Sequence, residues 1–294
     1  MRRWLTGVAL GAVVTTTLLG CTKPAGTDGD LVDGWAPMAA PTVFTPEAGT
    51  CHARPQDVGY LSAYAPVDCA QPHRAETLHV GTLDDVAGTS PPKTGSAGMR
   101  TAFGECDRRA RAALGGDWRG ARIGISVVLP SPQAWTGGAR WFRCDAHELQ
   151  GLDTPIPVRR TDSLSGSLDG SSKLRHGCFD AKTEGDDVTE MVAVKCSAGH
   201  RSEFAGIWRA PDTSWSAFLK DTGRAHRGCR STIARFAKVP DDGNLQYRVG
   251  TIFYHPSEDE WRSGNRGVQC FLWISDRTLT RSMKGAGPQA LPIT

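Results

Sequence analysis

The sequence predicts an α+β protein made of two tandem homologous modules, each a small antiparallel sheet packed by one main helix and stapled by two disulfides. Three observations carry this. Setting aside Cys21, the cysteines fall at Cys51, Cys69, Cys106, Cys144 and at Cys178, Cys196, Cys229, Cys270, with intervals of 18, 37 and 38 residues and then 18, 33 and 41. Residues 122–144 and 248–270 align without a gap on Arg-x-Gly-x5-Pro-Ser-x3-Trp-x2-Gly-x-Arg-x3-Cys. The phrase Val-x-Cys-x3-His-Arg-x-Glu occurs twice, at 67–76 and 194–203. Self-similarity at a fixed spacing within one chain is the signature of an internal duplication.

The elements follow in chain order. Residues 1–20 have a charged start and a short apolar run, the form of a signal peptide. Leu18-Leu19-Gly20-Cys21 has the form of a bacterial lipobox, which makes Cys21 the expected site of a diacylglyceryl anchor. Two acyl chains hold a protein on a membrane where one does so only marginally. Residues 21–48, rich in Pro, Ala, Gly and Asp, are expected to form a tether, and the first module to span 49–150. Residues 151–174 are expected to be a Ser/Gly linker in which Leu164 and Leu168 are positioned to dock on a module. The second module is expected over 175–285, with a frayed tail at 286–294.

Within each module a short strand at the first Cys precedes a second strand, SAYAPVDC or EMVAVKC, marked by alternating apolar positions. AETLHVGTL and SEFAGIWRA read as the next strands. Helices are expected over 102–115, closed by Gly-Gly, and over 228–239. A hairpin with a Pro/Trp/Gly turn completes each module. The first two cysteines then lie on neighbouring strands, and the third lies on a helix above the fourth. This favours Cys51–Cys69, Cys106–Cys144, Cys178–Cys196 and Cys229–Cys270. Export to an oxidising compartment allows such bridges to persist.

Composition narrows the function. Apolar content is 39% and charged content 22%, which allows a buried core, and a net charge of +3 with no basic block argues against nucleic acid. Cys69-x3-His73 has plausible zinc spacing, but the second copy replaces the other nearby histidines, His52, His79 and His147, with Phe179, Gly206 and Trp273. A disulfide sulfur is not a thiolate ligand, so no metal and no cofactor are expected. His73 with Glu76 and Ser131, and His200 with Glu203 and Ser257, can be drawn as a catalytic set, yet neither a Gly-x-Ser-x-Gly elbow nor a His-Glu-x2-His motif occurs. The structural alternative has His73 and His200 tying turns and Arg74–Glu76 and Arg201–Glu203 forming short-range ion pairs. In it, Trp135 and Trp261 cover hairpin turns at Gly138 and Gly264, with Arg140 and Arg266 stacked on the indoles.

Gly-x-Cys at Cys51, Val-x-Cys-x3-His-x2-Glu, a helix Cys and Trp-x2-Gly-x-Arg-x3-Cys together resemble the septum-formation family, in two copies covering about two thirds of the chain. The second copy departs in having Ser-Ala-Gly before His200, where the family often has a proline. The resemblance implies an envelope role connected with division, and it supplies no catalytic residues. The resulting expectation is a non-enzymatic protein on the outer face of the cytoplasmic membrane, held by its lipid. Its partner would be an envelope protein or a cell-wall polymer. The alternative is an envelope hydrolase using the repeated His/Glu pair.

Overall fold

The computed structural model describes residues 42–185 and 187–293; the signal peptide, Cys21 and nearly all of the tether lie outside the described residues. Residues Val43–Thr294 gather into one compact unit of mixed α and β structure. Its strands in chain order begin with β1 (Thr50–His52), β2 (Val58–Gly59), β3 (Pro66–Val67) and β4 (Ala75–Thr82), followed by helix α1 (Ala97–Leu114). Next come β5 (Ile123–Pro130), the short helix α2 (Pro132–Thr136) and β6 (Trp141–Glu148). The second half runs β7 (Cys178–Glu184), β8 (Asp187–Val194), β9 (Ser202–Arg209), α3 (Trp215–Lys220) and α4 (Thr222–Ala237). It closes with β10 (Gly250–Tyr254), α5 (Glu258–Arg262) and β11 (Gly267–Trp273).

The strands form two sheets, ordered β2-β5-β6-β4-β1-β3 and β10-β11-β9-β7-β8. The central orders match strand for strand, β5-β6-β4-β1 against β10-β11-β9-β7. Each sheet is crossed on one face by one long helix. In α1 the buried residues Ala102, Cys106, Ala110 and Leu114 recur every fourth position, and in α4 so do Ala225, Cys229, Ile233 and Ala237. That spacing puts each set on one helix face, small enough for close approach to the sheet. Ser96 caps α1 by accepting from the Met99 N–H at 3.2 Å, and Asp221 caps α4 through the Arg224 N–H at 3.1 Å. Gly115 ends α1 in the left-handed conformation (φ 79°), whereas α4 ends on Lys238 at φ 56°.

Four disulfides form: Cys51–Cys69, Cys106–Cys144, Cys178–Cys196 and Cys229–Cys270. The second of each pair of bridges ties the long helix to the last strand.

Several expectations are corrected. The turn between the last two strands of each half is a short helix, α2 or α5, capped by the hydroxyl of Ser131 or Ser257. Trp135 and Trp261 therefore do not lie over an open turn; they are buried to 0% and 1% exposure. The segment SAYAPVDC, with the alternation of a strand, pairs only at Pro66 and Val67. Residues 53–66 instead cross the face of the first sheet, so that β2 lies parallel to β5 at the opposite side. Residues 151–174, expected as a Ser/Gly linker, dock through the two leucines positioned for it: Leu164 and Leu168 pack at 0% exposure among Phe103, Ala110, Leu114 and Trp118. The tail is not frayed throughout: Leu291 is fully buried beside Ile233 and Leu272.

Candidate functional site

The repeated phrase builds the same joint in both halves. His73 Nδ1 lies 2.8 Å from the Gln71 carbonyl, and His200 Nδ1 lies 2.8 Å from that of Ala198. Both imidazoles are buried, at 1% and 0% exposure, and in both the Nε2 atom has no hydrogen-bond partner. Their main chains pair with a returning segment, His73 with Arg160 and His200 with Leu279. Glu76 accepts from the Ser163 hydroxyl at 2.7 Å and from the Leu164 N–H. Glu203 accepts from the Ser282 hydroxyl and from the Met283 N–H at 2.7 Å. A buried carboxylate that receives two donors is satisfied, and it locks the segment that supplies them.

The expected Arg74–Glu76 and Arg201–Glu203 ion pairs do not form. Arg74 is exposed, and Arg201 instead approaches Asp180 at 3.6 Å and the Trp273 ring at 5.2 Å. The expected indole stacking does form: Arg140 lies 4.3 Å from the Trp135 ring centre, and Arg266 lies 4.4 Å from that of Trp261. The indole N–H groups bond the Gly88 and Thr213 carbonyls at 3.0 and 2.8 Å.

The repeated His and Glu thus do not converge on a cleft. Glu76 does lie beside Cys51 and Cys69, and Glu203 beside Cys178 and Cys196, close enough for a metal-sized cluster. The sulfurs are joined to each other, however, and the carboxylates hold their two donors, so the donor set does not fit a metal ion.

The joint also shows what the repeat comparison missed. Ser163-Leu164-x-Gly166 corresponds to Ser282-Met283-x-Gly285, and Gly166 and Gly285 bond the Ala113 and Phe236 carbonyls near the ends of α1 and α4. The distance from the fourth cysteine to this serine is seven residues longer in the first half than in the second. An ungapped comparison stops at the cysteine and hides the match.

The two sheets differ most on the faces turned away from the long helices. In the first, Arg143 Nη2 lies 2.8 Å from Asp145 Oδ2, the Thr77 hydroxyl donates to Asp145 Oδ1 at 2.8 Å, and His52 Nε2 is 3.0 Å from that hydroxyl. Ser126 and His147 pair alongside at 3.0 Å. Arg143, Asp145, Thr77 and His52 are at most 2% exposed. Burial, with the Arg143 charge beside it, lowers the His52 pKa to about 4, and burial likewise lowers that of His147. In the second sheet the cysteine alignment puts Gln269, Phe271, Phe204 and Phe179 at the four network positions. Phe271 packs edge-on against Phe179 at 5.5 Å and against Phe204 at 5.4 Å.

The covers differ as well. The first sheet is covered by its own residues 53–66, with Gln56 accepting from Arg143 at 2.9 Å. The equally long segment of the second half zips into the β7–β8 hairpin and covers nothing. Its aromatic face is covered by its own His176, whose ring lies 6.0 Å from Phe179 and 5.5 Å from Phe204, and beyond that by the first half. Arg119 reaches across to Asn265 Oδ1 at 2.8 Å while holding Asp107 at 2.7 Å, and its carbonyl accepts from Gln269 at 2.7 Å. It passes over Gly267, where any Cβ would sit 2.3 Å from the arginine side chain. The seven-residue excess near 150–156 forms a turn whose Asp153 accepts from the Met191 N–H at 2.7 Å and from the Tyr254 hydroxyl. Burial, and then the Asp153 carboxylate, push the Tyr254 pKa up.

Two clefts flank that turn, one of about 860 Å3 toward Arg201, Tyr254 and Trp273, and one of about 660 Å3 along β8. Of the candidate binding and catalytic residues singled out in the sequence, only Arg201 lines either cleft.

These features define a disulfide-stapled α+β protein with paired sheets, whose repeated polar residues are spent on its own joints. The septum-formation family model matches residues 48–270, through both sets of cysteines, and the chain belongs to that family. No curated protein and no solved structure matches it.

Proposed function

We propose that this is an envelope protein held on the outer face of the cytoplasmic membrane by a diacylglyceryl group on Cys21, and that it acts by binding during septum formation. The family match over residues 48–270 supports the septal role. The observation that carries the binding reading is the fate of the repeated His/Glu pairs: each Glu is saturated by a serine and a main-chain N–H, including Glu203, which borders a cleft of about 520 Å3 that its His200 does not line. We read the two halves as two copies of one ancestral unit, an interpretation supported by the matched central strand order. The Gly20-Cys21 lipobox pattern supports the lipid anchor, and no helix among the described residues is long and apolar enough to cross a membrane.

The test is a tagged full-length chain followed by microscopy and fractionation in its own cells. Enrichment at division sites is expected, together with release from washed membranes in Cys21→Ala. An even distribution around the cell contradicts the septal role, and a Cys21→Ala protein that stays on the membrane contradicts the anchor.

A further inference from the structure

The outer strand β8 is an open edge that its counterpart in the first sheet is built to close. In the first half, His52 pairs with Pro66 at the edge; in the second, Phe179 pairs with Ala193 at the same place. A proline has no N–H to offer a further strand and is a common device for blunting an edge. Ala193 restores that N–H. The direction in which it points follows from its neighbour. The Met191 N–H leaves the sheet to reach Asp153, and in an antiparallel pair every second residue turns its N–H and C=O the same way. Ala193 therefore faces outward too. Among the described residues, no bond to another main-chain group is made on that side of β8, where the Asp153 carboxylate is the acceptor.

Beside this edge lies the cleft of about 660 Å3, bounded by Met191, Val192, Ala193, Val194 and Lys195 on one side and the 150–154 turn on the other. Lys173, Arg175 and Lys195 stand exposed around it. Arg175 bonds the Leu168 carbonyl, whereas the ammonium groups of Lys173 and Lys195 have no ion-pair or hydrogen-bond partner among the described residues. Glu190 and Asp153 are the acidic groups present, and Asp153 is engaged by Met191 and Tyr254. The rim is thus positive in balance. Its one occupant in the structure is a carboxylate accepting a strand-edge N–H.

We propose that β8 takes an extended acidic segment of a partner protein as a sixth strand of the second sheet. The segment's carbonyls meet the Ala193 N–H and displace Asp153 from the Met191 N–H, and its carboxylates meet Lys173, Arg175 and Lys195. This rests on the binding reading and names the chemistry of the partner.

The experiment uses the full chain in detergent with a blocked peptide of alternating glutamate and valine, followed by fluorescence anisotropy and amide hydrogen exchange. The expected result is saturable binding that slows exchange at Met191 and Ala193. Binding should weaken by at least about tenfold in Ala193→Pro, which copies the first half's own Pro66 and so preserves the fold, and again in Lys173→Glu/Lys195→Glu. The proposal is overturned by no binding, by equal binding of a control peptide of alternating lysine and valine, or by binding indifferent to Ala193→Pro. Dextran sulfate bound equally by the parent and by Ala193→Pro, with no acidic peptide bound, marks a plain polyanion patch and also overturns it. If strand addition fails while septal enrichment persists, this proposal falls and the broader function stands.

Discussion

Glu76 shows what a single repeated residue does. It is 3% exposed and receives two donors from residues nearly ninety positions later in the chain. A hydrogen bond to a charged group is worth about 1.5–3 kcal/mol, so Glu76→Ala should cost about 3 kcal/mol and loosen the return segment around Leu164. His73→Ala should cost about 1 kcal/mol, with one hydrogen bond lost and an already orphaned Nε2 removed. Urea unfolding of both variants checks the order; a larger loss from the histidine than from the glutamate would contradict this account. The importance of these residues was legible in the sequence because they occur twice. Their partners were not, because Ser163 and Ser282 sit at unequal distances beyond the last cysteines.

His52 makes a statement about pH. Its pKa is lowered to about 4 in the fold against about 6.5 in the unfolded chain, and that of His176 is lowered to about 4 as well. The unfolded chain therefore binds protons first as pH falls. The stability these neutral rings allow is complete above about pH 6.5 and is lost progressively toward pH 4, with a slope of up to about 1.4 kcal/mol per pH unit for each. Unfolding free energy measured between pH 7 and 4 should decline in that window. A flat profile would mean that the rings are charged, or hydrated, in the native state.

The elements were legible to unequal degrees. Both long helices could be placed from small and apolar residues at four-residue spacing, but their starts lay earlier than expected, since the capping residues Ser96 and Asp221 precede stretches with little periodicity. The segments between the first two cysteines were the least legible. Each closes an 18-residue separation and each shows alternation, yet one becomes a hairpin and the other a strap across the sheet. The difference lies in what they cover: a polar face with Arg143 and Asp145 under the strap, and an aromatic face that the other half of the molecule buries. A third element-level feature is the end of α4. Lys238 holds a left-handed conformation at φ 56° where α1 has a glycine. That conformation costs a side-chain-bearing residue about 1–2 kcal/mol, partly offset by the freedom a glycine adds to the unfolded chain. Lys238→Gly should thus raise stability by about 0.5–1 kcal/mol in thermal or urea unfolding, and a decrease would show that the lysine stem contributes packing against the 285 turn.

At the scale of the whole molecule the halves are not equivalent, although their sequences match. The first sheet carries its own cover and an internally paired ionic network. The second presents Phe179, Phe204 and Phe271 to a surface supplied by Trp118, Arg119, Gly120 and the 150–156 turn. Removing that surface leaves an aromatic face in water, at about 25 cal/mol for each Å2 exposed. It also strands Asn265 and Gln269 without the Arg119 groups they bond. Residues 43–174 expressed alone should accordingly fold and unfold cooperatively. Residues 175–293 alone, with both disulfides intact, should bind a hydrophobic dye, lose near-ultraviolet circular dichroism and associate. Mixing the two oxidised halves should quench the dye signal as the face is covered again. In the intact chain, Arg119→Ala should remove the Asn265 hydrogen bond from this contact and also destabilise the first half by about 3–5 kcal/mol, because Asp107 would keep a buried charge with the Trp118 indole N–H and the half-exposed Arg111 as its remaining partners. A second half that is as stable alone as in the full chain would show that the aromatic face needs no cover. The single unit of residues 43–294 would then have to be held together chiefly by the continuity of the chain.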